Sequence, residues 1–187
     1  MTEKPIPPRP GRGAAKARLA EMLRVDHAGE LGAVHIYRGQ RAVLGAAPGR
    51  EHMVGQLAEM EGHEAVHLAR FDSLLTSHQV RPTLMAPLWR LAGFALGAGT
   101  ALLGEKAAHA CTVAVESVIE KHYAAQIAEI SSSDPDLAAE LSQFRDEELA
   151  HKDHALAEGA TSTPGYPLLA AVIKAGCLTA IKISEKL

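Results

Sequence analysis

The sequence has few of the residues that several common kinds of site require. It contains only two cysteines, Cys111 and Cys177, and their separation excludes a Cys-x-x-Cys zinc knuckle, iron–sulfur centre or redox pair. Aromatic residues make up 4% of the chain and the net charge is −3, so the sequence lacks the basic surface with interleaved aromatics that nucleic-acid-binding proteins use. We therefore expect no nucleic-acid partner.

Targeting and membrane-spanning signals are also scarce. Residues 1–13 are rich in proline, glycine and basic residues but have no apolar stretch, which predicts a disordered tail and not a secretory signal peptide. An uncharged apolar run at 91–104 is 14 residues long, too short to span a bilayer. Residues 14–187 fit a single domain, and a hydrophobic content of 47% is ample for its core.

Proline and glycine positions divide the chain into helical segments. We predict helices over about 14–46, 50–77, 100–130 and 134–159, and a last apolar helix over about 166–183. The first and second pairs look like two copies of one hairpin, and the 80–100 stretch is long enough for the crossover of a ferritin-like bundle. The predicted fold class is therefore all-α: a ferritin-like four-helix bundle with an apolar crossover segment and an additional C-terminal helix.

Two Glu-x-x-His tetrads each follow a lone glutamate at a similar distance. Glu64 comes 34 positions after Glu30, and Glu148 comes 32 positions after Glu116. Residues i and i+3 share a helix face, so each tetrad can present a carboxylate and an imidazole to one metal ion. In all four predicted helices the polar group replaces a core residue of the apolar stripe. The six candidate metal ligands are Glu30, Glu64, His67, Glu116, Glu148 and His151.

A metal site would explain why these carboxylates lie on core stripes. An isolated ionised carboxylate is strongly disfavoured in an apolar interior, and no lysine or arginine lies on the four stripes. Two divalent cations would balance the charge. Because the ligands are mostly oxygen with only two imidazoles, iron or manganese is favoured over zinc or copper(I). The alternative is that the helix phases differ and the glutamates are solvated surface residues.

The crossover and the last helix are unusually apolar. Trp89 and Arg90 lie at the edge of the 91–104 run, as at the boundary of an interfacial segment. One interpretation is that both segments only cover the bundle core. The other is that they meet a membrane and admit a membrane-resident substrate. For this second interpretation, the residues expected to line the substrate's entrance or contact the membrane are Leu91, Phe94, Leu96, Leu102 and Leu103.

Several blocks of the sequence closely resemble the demethoxyubiquinone hydroxylase family. They are RVDHAGELGA at 24–33, ACTVAVE at 110–116, FRDEELAH at 144–151, and Arg81-Pro82-Thr83 with the apolar run that follows. The resemblance extends from about Arg24 to the C-terminus. It implies a ferritin-like, flavin-independent di-iron monooxygenase that hydroxylates a polyprenyl demethoxyquinol ring with O₂ in ubiquinone biosynthesis.

The resemblance also implies the site and the setting of the reaction. It places two iron ions per chain on the same six residues, with Glu64 and Glu148 as bridges. Many relatives carry a second glutamate where Ser117 follows Glu116 here, so Glu116 is the one ligand candidate in that block. An electron donor, peripheral membrane association and other ubiquinone-biosynthesis proteins as partners are implied as well. The short N-terminus predicts a bacterial protein on the cytoplasmic face of the inner membrane.

Two other classes of protein fit parts of the pattern. A ferroxidase or iron-storage protein would use the same six ligands, but it would form a hydrophilic cage and have no need for the apolar 84–104 segment. A structural bundle that scaffolds partner proteins would keep its function without bound metal.

Other polar residues near the predicted ligands have roles that the pattern leaves open. His67 and His151 should each donate their second N–H to an acceptor outside the ligand set, and Asp26, one turn before Glu30, is the first candidate. Its alternative is an ordinary polar helix residue. Tyr123 lies on the core stripe and is a candidate relay for protons or electrons, or else a core tyrosine with one hydrogen bond. No role is assigned to His122, and the predicted bystanders are His63, His109 and His154.

Overall fold

All the regular secondary structure in the described part of the chain is helical. The computed structural model describes residues 14–187, and the disordered tail predicted for residues 1–13 lies outside them. No strand occurs within 14–187. The elements are α1 (Ala14–Leu44), α2 (Glu51–Ser77), α3 (Ala86–Leu102), α4 (Glu105–Ile130), α5 (Pro135–Ala157), a 3-10 turn (Ala160–Ser162) and α6 (Tyr166–Ser184). The all-α prediction is confirmed.

Two helical hairpins form the bundle, because α1 packs against α2 and α4 packs against α5. The second hairpin turns at Asp134, whose side chain caps α5 by accepting a 3.1 Å hydrogen bond from the Leu137 N–H. Apolar clusters fill both ends of the bundle, one around Phe71 and Phe144 and the other around Leu57. Buried polar side chains lie between them, halfway along the helices.

The remaining helices lie outside the bundle, with α3 on α1 and α6 on α4. Backbones of α1 and α3 touch through glycines: a Cβ on Gly97 would lie 2.0 Å from the Ile36 carbonyl oxygen, and one on Gly39 would lie 2.2 Å from that of Phe94. The predicted start of the third bundle helix at about Thr100 is wrong, since Thr100 belongs to α3. The chain breaks instead before α4 at Gly104, whose φ of +108° favours glycine.

The outer surface of α3 and α6 is apolar. Leu91 and Leu102 on α3 are 67% and 74% exposed, and Leu168 on α6 is 72% exposed. Among the described helices, α6 alone has the length and composition to cross a membrane. Only 17% of its apolar stretch is buried, whereas the core helix of a globular protein is mostly buried. Both segments therefore cover α1 and α4 while exposing an apolar face.

Candidate metal centre

The structure brings all six predicted ligands together at the middle of the bundle. They form two overlapping clusters that share Glu64 and Glu148, and the ligand atoms within each cluster lie within 4.8 Å of one another. The first cluster adds Glu30 and His67. The second adds Glu116 and His151. Each side chain projects from the core stripe of its helix, and all six residues are at most 5% exposed.

Both histidines turn Nδ1 toward the shared glutamates. His67 Nδ1 lies 3.2 Å from a carboxylate oxygen of Glu148 and 3.5 Å from one of Glu30. His151 Nδ1 lies 3.1 Å from Glu64 and 3.4 Å from Glu148. Two imidazoles and four carboxylates thus converge from four helices on one buried volume, so a metal bound there would be coordinated through Nδ1 of each histidine.

The unpaired atoms of these six residues match what two metal ions need. Eight of their buried atoms make no hydrogen bond to any described residue: one oxygen each of Glu30 and Glu116, both oxygens of Glu64 and Glu148, and Nδ1 of both histidines. Shared between the clusters, these atoms give four ligands to each of two ions. Buried polar atoms without partners are costly, and metal coordination would satisfy all eight. The residues therefore fit a two-metal centre.

Glu30 and Glu116 each belong to only one cluster and are here called the terminal glutamates. Two buried tyrosines bind the second carboxylate oxygen of each. The Tyr37 hydroxyl donates a 3.2 Å hydrogen bond to Glu116, and the Tyr123 hydroxyl donates a hydrogen bond to Glu30. Burial and the nearby carboxylates raise the pKa of both hydroxyls well above the usual range, which keeps them protonated as donors. Tyr123 is therefore in contact with a predicted ligand, and Tyr37 is an equivalent contact that the sequence pattern did not reveal.

The carboxylates crowded within the cluster favour bound protons or other positive charge. Burial, followed by repulsion from Glu148, raises the pKa of Glu64 and Glu116 well above the usual carboxyl range. Burial would also raise the pKa of Glu148, but His151 and His67 lower it to about 2. Burial would lower the pKa of His67, yet contacts with Glu148 and Glu30 raise it to about 11. Two divalent cations would supply the compensating charge.

The outward nitrogens of the two histidines have partners that the sequence pattern did not predict. His67 Nε2 lies 2.6 Å from the Glu147 carboxylate, and His151 Nε2 lies 3.0 Å from Nδ1 of His63. Asp26, the expected partner, instead accepts a 2.8 Å hydrogen bond from Gln126. The expectation that Asp26 contacts a ligand histidine is therefore wrong.

The other histidines have contacts of their own. His122 lies 3.0 Å from the Gln126 amide and 3.5 Å from Asp26. His63, expected to be a bystander, contacts a ligand and stacks on it with ring planes 5° apart. His109 and His154 pack edge to face away from the cluster. Comparison of the two hairpins would have found His63 and Glu147, because each directly precedes a shared glutamate.

An apolar cavity of about 430 Å³ lies beside the centre, on the side covered by α3 and α6. Its floor is formed by small residues of α1 such as Gly29, Gly32 and Ala33, together with Val115 of α4. Leu96 of α3 lines one wall and Gly176 of α6 lines the other. The size and lining are those of a site for an apolar small molecule.

The cavity approaches the centre through a gap between α1 and α4. This gap is too narrow to hold a water molecule, and its lining includes Tyr37 and Glu116. It shares Ala33, Ile36 and Val115 with the cavity lining. Of the five predicted entrance or membrane residues, only Leu96 lines the cavity; the exposed ones are Leu91, Phe94, Leu102 and Leu103.

Comparison with known proteins gives consistent matches over almost the whole chain. Residues 17–184 match the family described as ubiquinone biosynthesis protein COQ7. A 3-demethoxyubiquinol 3-hydroxylase of Rhodospirillum rubrum is 51% identical over 95% of this chain and 82% of its own length. The human NADPH-dependent 3-demethoxyubiquinone 3-hydroxylase, a mitochondrial protein, is 48% identical over 92% of this chain and 80% of its own length. The mitochondrial 5-demethoxyubiquinone hydroxylase of Saccharomyces cerevisiae is 38% identical, over 93% and 80%.

Proposed function

Because this chain belongs to the ubiquinone biosynthesis protein COQ7 family, we propose that it is a monooxygenase that hydroxylates the ring of a polyprenyl demethoxyubiquinol. The relatives named as demethoxyubiquinol or demethoxyubiquinone hydroxylases support the substrate. The observation that carries the chemistry is the set of eight unpaired ligand atoms, shared four and four between two clusters. We assign the oxygen chemistry to two metal ions at this site, which requires no flavin.

The proposed metal is iron, with two ions per chain. Six of the eight ligand atoms are carboxylate oxygens and two are imidazole nitrogens, a hard donor set that suits iron or manganese. The same arrangement on four helices, a lone glutamate and a Glu-x-x-His from each hairpin, is that of ferritin-like di-iron proteins. Activation of O₂ is the chemistry that two bound iron ions would supply.

The protein's own side chains hold this centre in shape. Glu64 and Glu148, which belong to both clusters and have both oxygens free of hydrogen bonds, would help to hold both ions. Tyr123 and Tyr37 fix the terminal glutamates by donating their hydroxyl protons, and the partners of His67 Nε2 and His151 Nε2 orient the two rings. The reaction replaces a ring C–H by C–OH with one oxygen atom of O₂. The second oxygen leaves as water, which takes two protons and two electrons from an external donor.

The apolar cavity is the proposed substrate site. Its apolar walls suit a polyprenyl quinol, and the gap between α1 and α4 directs a ring toward Glu116. The gap between α1 and α4 is too narrow for water in the structure and would have to widen for the ring. The bound ring would then fill the widened gap and keep solvent from the centre. Residues on the α1 and α4 side therefore face substrate, whereas the two ligand histidines lie on the opposite side, next to His63 and Glu147.

The exposed apolar face of α3 and α6 is the proposed membrane contact. A lipid-soluble substrate must leave the bilayer to reach the cavity, and the cavity lies between these two helices. Partial insertion of Leu91, Phe94 and Leu168 into a membrane surface would remove their apolar area from water. We propose peripheral association with the cytoplasmic face of the bacterial inner membrane. Partner proteins of the same biosynthetic process remain a prediction.

The test is direct hydroxylation by protein loaded anaerobically with Fe²⁺. The expected result is conversion of a long-tailed demethoxyubiquinol to its hydroxylated product, with one ¹⁸O atom incorporated from ¹⁸O₂ and none from H₂¹⁸O. Protein treated with a chelator is the control. Iron oxidation without ring hydroxylation, in the presence of a competent electron donor and substrate, would favour a ferroxidase. Label derived from water would contradict a monooxygenase.

A further inference from the structure

The metal centre has a near two-fold internal symmetry. Tyr37 follows Glu30 by seven positions and Tyr123 follows Glu116 by seven. Each tyrosine donates its hydroxyl to the glutamate of the other hairpin. The tetrads correspond in the same way, since each cluster contains one histidine, one terminal glutamate and both shared glutamates. The two proposed metal positions therefore have the same number and kinds of ligand atoms, three carboxylate oxygens and one imidazole nitrogen each.

The symmetry breaks at the residue that precedes each shared glutamate. That residue is His63 in the first hairpin and Glu147 in the second. In both cases the side chain crosses to the histidine of the other hairpin. Glu147 lies 2.6 Å from Nε2 of His67, and His63 Nδ1 lies 3.0 Å from Nε2 of His151. One ligand histidine thus has a carboxylate partner and the other has an imidazole.

These two partners should affect a bound metal differently. A histidine that coordinates through Nδ1 carries its proton on Nε2, so both rings donate outward. The carboxylate of Glu147 is a charged acceptor, and it is held by a 2.9 Å hydrogen bond from the Gln143 amide. A charge-assisted bond is stronger than a neutral one and makes the coordinating nitrogen more basic. His63 can accept only through a neutral ring nitrogen.

We propose that the two metal positions differ in affinity, that the one containing His67 is the tighter, and that Glu147 and His63 are the positioning residues that set the difference. The inference rests on the proposed two-metal centre. It does not depend on a difference between the coordinating atoms, because these are alike in the two clusters. Binding is then sequential: the first ion enters the Glu30–His67 position and the second enters the Glu116–His151 position.

Anaerobic titration of the full chain with Co²⁺ and with Fe²⁺ tests the proposal independently of catalysis. Calorimetry gives the two dissociation constants, and the Co²⁺ visible spectrum recorded during the titration shows which of the two steps a variant changes. Repulsion between two bound cations makes the second dissociation constant larger than the first in any such centre. The ratio of the two constants, here called the affinity gap, is therefore compared with its value in wild-type protein. Glu147→Gln should weaken the first step by about 10- to 100-fold, the usual effect of removing such a partner, and narrow the affinity gap. Asp146→Asn removes the same charge one residue away and should leave the affinity gap unchanged.

The reciprocal exchange acts on the other position. His63→Glu gives both ligand histidines a carboxylate partner. It should lower the second dissociation constant by about 10-fold and so bring it closer to the first. Ala65→Glu is the control, because it adds the same charge at an exposed position of the same helix. His63→Asn keeps an acceptor at the place of Nδ1 and should retain wild-type binding. Glu147→Gln and His63→Glu should each also alter the Co²⁺ spectrum of one step only, and the control variants should alter neither.

The outcomes separate this inference from the proposed function. Binding of two ions with an affinity gap that neither Glu147→Gln nor His63→Glu narrows would overturn the inference and leave the two-metal centre standing. Equal shifts in the variants and their charge controls would overturn it too. Failure of wild-type protein to bind two ions would overturn the metal centre itself. Helical circular dichroism, recorded for every variant, shows that each one tested is folded.

Discussion

Filling the apolar cavity from its outer wall should block long-tailed substrates without disturbing the metal centre. Gly176 lines the cavity from α6, and a Cβ added there would meet no atom within 4 Å. Gly176→Leu therefore adds four carbons to the cavity without a backbone clash. Because leucine has a higher helix propensity than glycine, α6 should gain roughly 0.8 kcal/mol in stability. Loss of activity would then not result from unfolding.

The expected kinetic effect follows from the apolar contact that the tail loses. Each CH₂ group transferred from water to an apolar site is worth about 0.8 kcal/mol. Displacing four carbons of the tail from the cavity therefore costs roughly 3 kcal/mol, which lowers kcat/KM by about two orders of magnitude. A tailless, water-soluble demethoxyquinol should lose much less, since Gly176 is remote in sequence from every ligand and lies on the outer wall. The assay is kcat/KM for both substrates with fully iron-loaded protein.

Gly99→Leu is the matched control. Gly99 is an exposed glycine on α3 where an added Cβ would also meet no atom within 4 Å, but it does not line the cavity. This exchange adds the same apolar group to the outer surface, so it should leave both kcat/KM values within about twofold. Equal losses on the long-tailed and tailless substrates in Gly176→Leu, or no loss on either, would refute the assignment of the cavity to the tail.

Three further outcomes follow from the same structure. Replacing both Phe94 and Leu96 by serine should weaken vesicle binding and long-tailed turnover but not tailless turnover; unchanged vesicle sedimentation would contradict the membrane contact. Gly97→Ala should lower the free energy of unfolding by about 1–3 kcal/mol, because its Cβ clashes with α1. Equal unfolding free energies for Gly97→Ala and Gly99→Ala in denaturant titrations would contradict this. Burial and neighbouring carboxylates raise the pKa of Glu64 and Glu116, so an incoming cation must displace protons. Affinity for Fe²⁺ should therefore rise with pH, and a pH-independent dissociation constant would contradict this.

Much of the fold was predictable because helical periodicity is a local property. The first, second and fourth bundle helices and the last helix begin and end close to their predicted positions, the third bundle helix ends where predicted, and the candidate ligands occupy core stripes as expected. The break before α4 was missed. The apolar run from 91 to 104 is helix-compatible throughout, and its end depends on Gly104 and on the close packing of Gly97 against α1. Such contacts between distant segments leave no periodic signal.

The surroundings of the ligands were harder to predict, for a geometric reason. Asp26 was chosen because it lies one turn from Glu30 on the same helix. The partners of His67 and His151 instead come from the opposite hairpin, through Glu147 and His63. Periodicity within one helix cannot specify which residue of another helix reaches it. The internal repeat does carry this information, since corresponding positions of the two hairpins make corresponding contacts.

The most direct test of the whole account is the iron content of the Glu116→Ala variant beside wild-type protein. Both are reconstituted anaerobically with Fe²⁺ and freed of unbound metal, and Glu129→Ala, on the exposed part of the same helix, is the control. Two iron ions per chain are expected in wild type and control. Glu116→Ala should lose most iron and hydroxylation, with unchanged helical circular dichroism. Wild-type protein that hydroxylates substrate with well under one iron per chain would contradict the account.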